Sequence, residues 1–361
     1  MRLPTLSKLL PLVGLLPALA GSPAWGQGGK AAEGPAADAV DVLRYGPRED
    51  VVHFAEELAQ RQGLDASWVR AALERARYSP AVARSIMPAA NGAAKNWAAY
   101  RARFVEPVRL RAGLAFWRAH QKWLDLAEER FGVAPEIIVG IIGVESLFGQ
   151  QTGNFRVIDA LATLSFDFPT GRKDRAPFFR DELESFLLMC HKGGLEPLVV
   201  KGSYAGAMGM PQFLPSSVNR YAVDLDGDGR IELNDNPADV IGSVANYLFE
   251  FGWQRGMPTR FDVTPPPETI ERATMLAPDI VPGFSAHEFA QRGAVLSPVG
   301  QAFEAKLALV ELQNGDAAAS YVAGTGNFYV ITRYNWSSYY AMAVIELGEA
   351  IARERARGLH R

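Results

Sequence analysis

Apolar residues recur at three- and four-residue spacing over most of the chain, with polar residues between them, and this pattern predicts helices. From Val51 to Arg130 the repeat is sustained. Phe54, Leu58 and Gln62 fall on one face, Trp68, Ala72 and Leu73 on another, and Leu114, Trp117, Trp123 and Leu126 continue it. A further helix is predicted over Pro135 to Phe148, with Pro135 in its first turn and Gly149 ending it. Two more fall at 178–192 and 237–251, and helical spacing returns from Tyr339 onward. Between 257 and 325 the pattern changes. Pro258, Pro265, Pro266, Pro267, Pro282 and Pro298 punctuate short β-favouring runs, which predicts a small mixed or β-rich insertion. The fold class is therefore mainly α, within α+β, and no internal repeat is visible.

The first residues break this picture. Arg2 and Lys8 precede an apolar run from Leu9 to Leu19, and Ala18, Leu19 and Ala20 fit a small-residue cleavage site. The run is too short to span a bilayer, Pro11 and Pro17 argue against a buried helix, and no cysteine stands near the cut to accept a lipid. The segment 1–26 reads as a signal peptide, with the mature chain starting near Gly21 or Gln27, so a soluble periplasmic protein is expected. Gly, Ala and Pro then dominate, and 27–47 reads as a flexible linker. The remaining order is an N-terminal helical region at 48–134, a core at 135–256, the insertion at 257–325 and the rest of the core at 326–361.

With 361 residues and 48% hydrophobic content the chain has room for more than one core. A net charge of −3 makes nucleic acid a poor partner. The single cysteine, Cys190, lies in an apolar helical run and reads as a buried structural thiol rather than a nucleophile.

Glu145 stands out. On a helix it shares a face with Ile138, Ile141 and Ile142, so an acid is set on an apolar stripe. Desolvation raises the pKa of such a carboxyl and suits it to general acid catalysis near neutral pH. The same placement also serves a carboxyl satisfied by a buried partner.

Several blocks around Glu145 resemble the lytic murein transglycosylase B family. They are Pro135–Glu145, Asp159–Phe166, Phe186–Met189, Ser203–Ser217, Ile241–Tyr247 and Ile331–Val344, in that order. The resemblance implies a lysozyme-like helical core and cleavage of the MurNAc–GlcNAc bond of peptidoglycan strands without water, leaving 1,6-anhydro-MurNAc ends. Glu145 matches the family's single catalytic acid. Gln212 matches a polar residue facing it, and Ser203 a site hydroxyl. Tyr334, Asn335 and Tyr340 match a late motif that closes the groove, and Tyr100 and Tyr247 match aromatic positions lining it. Two departures bear on saccharide contacts: Phe148 stands where the family often has Tyr or Trp, and Met210-Pro211 replaces a more usual Tyr-Gly. A muramidase would need a second carboxyl, for which Asp159 and Asp167 are the nearby candidates. A peptidoglycan-binding scaffold would need no acid at all.

The run Asp224-Leu225-Asp226-Gly227-Asp228-Gly229-Arg230 has the opening of an EF-hand loop. Carboxylates stand at its first, third and fifth positions, a glycine at the sixth and the Arg230 carbonyl at the seventh, all hard oxygens suited to calcium. Asp235 falls at the twelfth position but is short for bidentate closure. The resemblance implies a longer loop, 224–239, closed by Asp239, with Asp235 as the alternative and a structural role for the Ca2+. No organic cofactor is implied.

Overall fold

The computed structural model describes residues 43–88 and 95–359. The expected signal peptide and most of the expected linker lie outside these residues. The linker does not run to 47, however. Tyr45 is wholly buried, and its hydroxyl donates to Asp167 at 2.6 Å, because residues 44–47 pack back onto the helices that follow.

The helical stretch from Val51 to Arg130 resolves into α1 (Glu49–Gln62), α2 (Ala66–Glu74), α3 (Pro80–Ser85), α4 (Trp97–Ala102) and the long α5 (Pro107–Phe131). Side chains punctuate it. Asp65, Ser79, Asn96 and Glu106 each accept a backbone N–H at a helix start, which satisfies donors that a helix leaves free. Next come α6 (Pro135–Ser146), a short strand β1 (Phe155–Arg156), α7 (Val157–Phe166) and α8 (Ala176–Gly193). Strand β2 (Lys201–Gly202) pairs antiparallel with β1, and α9 (Pro215–Tyr221) and α10 (Pro237–Glu250) follow.

The mixed insertion contains β3 (Arg260–Thr264), α11 (Thr269–Leu276), α12 (Ala286–Gln291), β4 (Val295–Leu296), α13 (Pro298–Gln301), β5 (Ala308–Asn314) and β6 (Ala317–Gly324). The strands form one antiparallel sheet in the order β4-β3-β6-β5. Helices α14 (Gly326–Thr332) and α15 (Ser338–Leu359) end the described chain. None of the described helices is long and apolar enough to cross a membrane.

Three apolar clusters hold these elements. One joins α1–α3 to α7 and α8 and contains Cys190, whose thiol burial pushes up to about 12, which leaves it inert as a nucleophile. The largest wraps α6 with α5, α10, α14 and α15. The third lies under the sheet, around Phe261, Phe289 and Leu309. Strand β5 is buried on both faces: Ala308, Val310 and Leu312 enter the large cluster while Leu307, just before it, and Leu309 enter the third. The period-two alternation of a strand thus ties the insertion to the helical core.

Candidate active site

Helix α6 is almost entirely apolar and sits at the centre of the large cluster. Its closest neighbour is α15, and glycines allow the approach. A Cβ on Gly140 would stand 2.3 Å from the Val344 carbonyl oxygen, and one on Gly348 2.0 Å from that of Glu136. The helix stops two residues before its predicted end, at Ser146. Leu147 and Phe148 both take left-handed conformations (φ 51° and 54°) before Gly149. Two consecutive non-glycine residues in that region are costly, and the strain falls just past the last helical turn, which carries Glu145.

Only part of the Glu145 side chain meets a cavity, and the rest is enclosed by protein. Tyr340, wholly buried on α15, donates its hydroxyl to Glu145 Oε1 at 2.6 Å. Burial pushes the Glu145 carboxyl up to about 7, and the Tyr340 hydrogen bond pulls it back part of the way. The negative end of the α6 dipole acts in the same direction as burial. Glu145 is therefore an acid that can both hold and release a proton near neutral pH.

The cavity has a volume of about 390 Å³ and includes Ser203, Gln212, Tyr247, Tyr334 and Asn335 in its lining. Glu145 is the one carboxylate among the described residues that line it. Asp159 and Asp167, the other candidate carboxyls, lie elsewhere. Asp159 pairs with Arg156 at 3.1 Å and accepts the Arg77 N–H. Asp167 pairs with Arg48 at 2.8 Å beneath Tyr45.

Within the lining, the Tyr247 hydroxyl donates to the Arg333 carbonyl at 2.7 Å and that of Tyr334 to the Pro211 carbonyl at 2.6 Å, so both rings are locked. The Ser203 oxygen accepts the N–H groups of Ala205 and Ala207. It makes no bond to Glu145, because this turn takes it up. Gln212, at a left-handed φ of 51°, donates its amide to the carbonyls of Thr152 and Gly209 and makes no bond to Glu145 either. Asn335 is buried, and its Oδ1 has no partner among the described residues.

Three expectations need correction. Tyr340 does not close the groove as a sugar-facing ring; it lies beneath the acid, because the glycine-lined contact of α15 with α6 turns it inward. Tyr100 lines a neighbouring cavity with Lys95, Asp279 and Trp336 instead of the Glu145 cavity. Helical spacing packs its ring against Trp97 and Phe104. Its hydroxyl is enclosed without a partner among the described residues. Phe148 and Met210-Pro211, the two departures, do not line the Glu145 cavity. Phe148 packs on Phe116 with ring centroids 5.2 Å apart, and Met210 packs on Gly149 behind the wall.

Sequence reading missed Arg109. Its buried guanidinium donates from Nε to the Gly143 carbonyl at 2.8 Å and from Nη1 to that of Arg103 at 2.9 Å, bracing the turn that carries Glu145. Nothing in the sequence distinguishes it from a solvated helix charge.

In the 224–239 loop, Asp224, Asp226 and Asp239 bring carboxylate oxygens within 4.8 Å of one another. Asp239 is wholly buried, accepting the N–H groups of Leu225 at 3.0 Å and Glu232 at 2.9 Å. Asp235 is exposed and outside this group. Burial and the charges of Asp226 and Asp224 raise the pKa of Asp239. Three converging carboxylates fit a hard divalent cation, while Asp228 lies outside the group and accepts the Arg230 N–H at 2.8 Å.

Amides, hydroxyls and ring faces around a protonatable acid are what a sugar chain needs in order to be held and cut. The class is thus a glycan-cleaving enzyme on a lysozyme-like helical frame. Residues 47–349 match the transglycosylase SLT domain family. The chain is 40% identical over 320 residues to membrane-bound lytic murein transglycosylase B of Escherichia coli, covering 84% of this chain and 83% of that protein. It is similar to the crystal structure of soluble lytic transglycosylase SltB1 from Pseudomonas aeruginosa (TM-score 0.77, 40% identity, 85% of this chain and 99% of that one). It is also similar to the E. coli lytic transglycosylase Slt35 in complex with calcium (TM-score 0.73, 38% identity, 85% and 94%). The chain belongs to this transglycosylase family and is a lytic murein transglycosylase, a lyase that cleaves peptidoglycan by transglycosylation.

Proposed function

We propose that Glu145 performs both proton transfers of this reaction. As the neutral acid it protonates the oxygen linking MurNAc to GlcNAc, and the C1–O bond breaks. As the resulting carboxylate it takes the proton from the MurNAc C6 hydroxyl while that oxygen bonds to C1. The product is a 1,6-anhydro end, no water is consumed, and Glu145 is restored as the acid. The observation that carries this reading is the lone carboxylate in the cavity wall. A hydrolase that activates water or forms a glycosyl-enzyme usually needs two. Tyr340 holds the acid in place. The ring faces of Tyr247 and Tyr334 and the polar groups of Ser203, Gln212 and Asn335 hold the strand.

The proposed site in the 224–239 loop takes calcium, held by Asp224, Asp226, Asp228, the Arg230 carbonyl and Asp239. The oxygen donor set and the calcium in the E. coli relative support it. Its proposed role is structural, because none of these residues lines the Glu145 cavity. The charged and then apolar amino-terminal segment supports export to the periplasm, where the glycan strands are.

The test is Glu145→Gln on purified sacculi, with product ends read by mass spectrometry. Wild-type protein should release anhydro ends, which are one water lighter than reducing ends. The variant should lose at least about 10⁴-fold in rate, the top of the range for general acid–base help, while still binding sacculi. Near-wild-type turnover by Glu145→Gln would falsify the mechanism.

A further inference from the structure

Packing does not account for an arginine at position 109. The side chain is buried, and its guanidinium lies 5.2 Å from the centroid of the Phe104 ring. The one carboxylate in ion-pair reach among the described residues, that of Glu106, stands 3.8 Å away. A charge taken out of water without a close counter-ion is costly, and an apolar side chain of similar volume would fill the space at lower free energy.

The hydrogen bonds of Arg109 do account for it. Nε donates to the Gly143 carbonyl at 2.8 Å and Nη1 to that of Arg103 at 2.9 Å, so the planar fork joins the end of α4 to the end of α6. Gly143 precedes Glu145 by two residues. The backbone alone closes this turn poorly. The Leu147 N–H reaches the Gly143 carbonyl at 3.3 Å and the Phe148 N–H reaches that of Ile142 at 3.4 Å, both longer than the arginine bond. The same face of α5 also presses on the turn further along. Gly113 and Phe116 follow Arg109 at helical spacing. A Cβ on Gly113 would stand 3.0 Å from Phe148 Cζ, and the Phe116 and Phe148 rings are 5.2 Å apart. The left-handed pair Leu147-Phe148 is thus held by ring contact and by the guanidinium together. Backbone strain persists only where the surroundings over-determine it.

We infer that Arg109 is a positioning residue for the glycan cut: by fixing the last turn of α6 it sets where the Glu145 carboxyl stands in the cavity. This rests on the proposed role of Glu145 as the acid. Arg109 acts through the backbone, so it governs the rate of the chemical step rather than the affinity for the strand.

The experiment measures kcat, KM and thermal midpoint for Arg109→Met, Arg109→Lys and Arg109→Ala on purified peptidoglycan strands. Misplacing a reacting group by about 1 Å can cost about 10²-fold in rate, and Arg109→Met should lose about that much in kcat with KM held. Arg109→Lys keeps the charge but reaches one carbonyl in place of two, and should fall between. Arg109→Ala leaves a gap shaped for the missing group. Guanidinium chloride, at concentrations too low to unfold the chain, should restore part of its lost rate and saturate as the gap fills, while urea and potassium chloride should not. A fold that is merely weakened responds in the opposite sense, because guanidinium is a denaturant. An unchanged kcat in Arg109→Met overturns the inference. So does a raised KM with kcat held, which would make Arg109 a strand contact, or a loss in Arg109→Ala that guanidinium fails to relieve. Glu145→Gln decides the acid separately. If it keeps its rate, that reading fails whatever Arg109 does, and Arg109 variants with wild-type rates sink this inference while leaving the acid in place.

Discussion

Glu145 is held between two opposed influences: enclosure, which favours its neutral form, and the Tyr340 hydroxyl, which favours the carboxylate. Tyr340→Phe removes only the second. The Glu145 pKa should then rise further, the alkaline limb of the kcat/KM profile should move to higher pH, and the plateau rate should fall about ten-fold or more. An unmoved limb would separate Tyr340 from the acid. Enclosure has a cost that stability measurements should reveal. A carboxyl near 7 in the folded chain and at its ordinary value of 4.5 when unfolded binds its proton more tightly in the fold. The stability this confers is complete below about pH 4.5 and is lost as pH rises through 7, by on the order of 3 kcal/mol. Glu145→Gln cannot ionise, so its stability relative to wild type should improve by about that amount between pH 5 and pH 9 in urea titrations. Parallel pH profiles would refute a desolvated acid. The enclosed setting of Glu145 was legible in the sequence because Ile138, Ile141 and Ile142 share its helical face, whereas the role proposed for it followed from the resemblance. Tyr340 was legible only as a member of a motif, since no periodicity links positions 195 residues apart.

Helices α6 and α15 meet backbone to backbone, and a methyl group at Gly140 has no room beside the Val344 carbonyl. Gly140→Ala should therefore cost about 1–3 kcal/mol, the usual penalty of overpacking, even though alanine is the better helix former. By forcing the helices apart it should also lengthen the Tyr340–Glu145 bond and lower kcat beyond what the stability loss explains. Activity and thermal midpoint measured together test this, and an alanine variant with wild-type values for both would refute it. Most elements followed from spacing and punctuation. The end of α6 did not: Gly149 looked like its terminator, but Leu147 and Phe148 already turn the chain, with Ser146 accepting the Gly149 N–H. Left-handed conformations at Leu and Phe leave no mark in a sequence, because tertiary packing imposes them. The insertion was legible in its proline-punctuated strands. That β5 packs on both faces was not, since Ala308 to Leu312 reads as one short apolar run.

At the scale of the whole molecule, the 224–239 loop ties α9 to α10 through Asp239, which caps both Leu225 and Glu232. A calcium ion bound only by the folded chain should raise its stability by about 2.7 kcal/mol at a hundred times its dissociation constant. The thermal midpoint should then rise by several degrees after chelation and re-addition. Asp239→Asn should abolish the gain and Asp235→Asn should preserve it; the reverse would assign closure to Asp235. The loop was legible from Asp224 to Arg230, but the place of Asp239 beside Asp224 and Asp226 followed only from the resemblance, since it lies beyond the twelfth loop position. The partnership of Glu145 with Tyr340 has a temporal consequence as well. Synthesis proceeds from the amino end, so the segment carrying Glu145 emerges long before residues 338–359 exist. Until that helix arrives, Gly140 lacks the Val344 carbonyl that packs on it and Glu145 lacks the Tyr340 hydroxyl. A chain that stops short of residue 338 should therefore be harmless to the wall, since it lacks the helix that closes over Glu145.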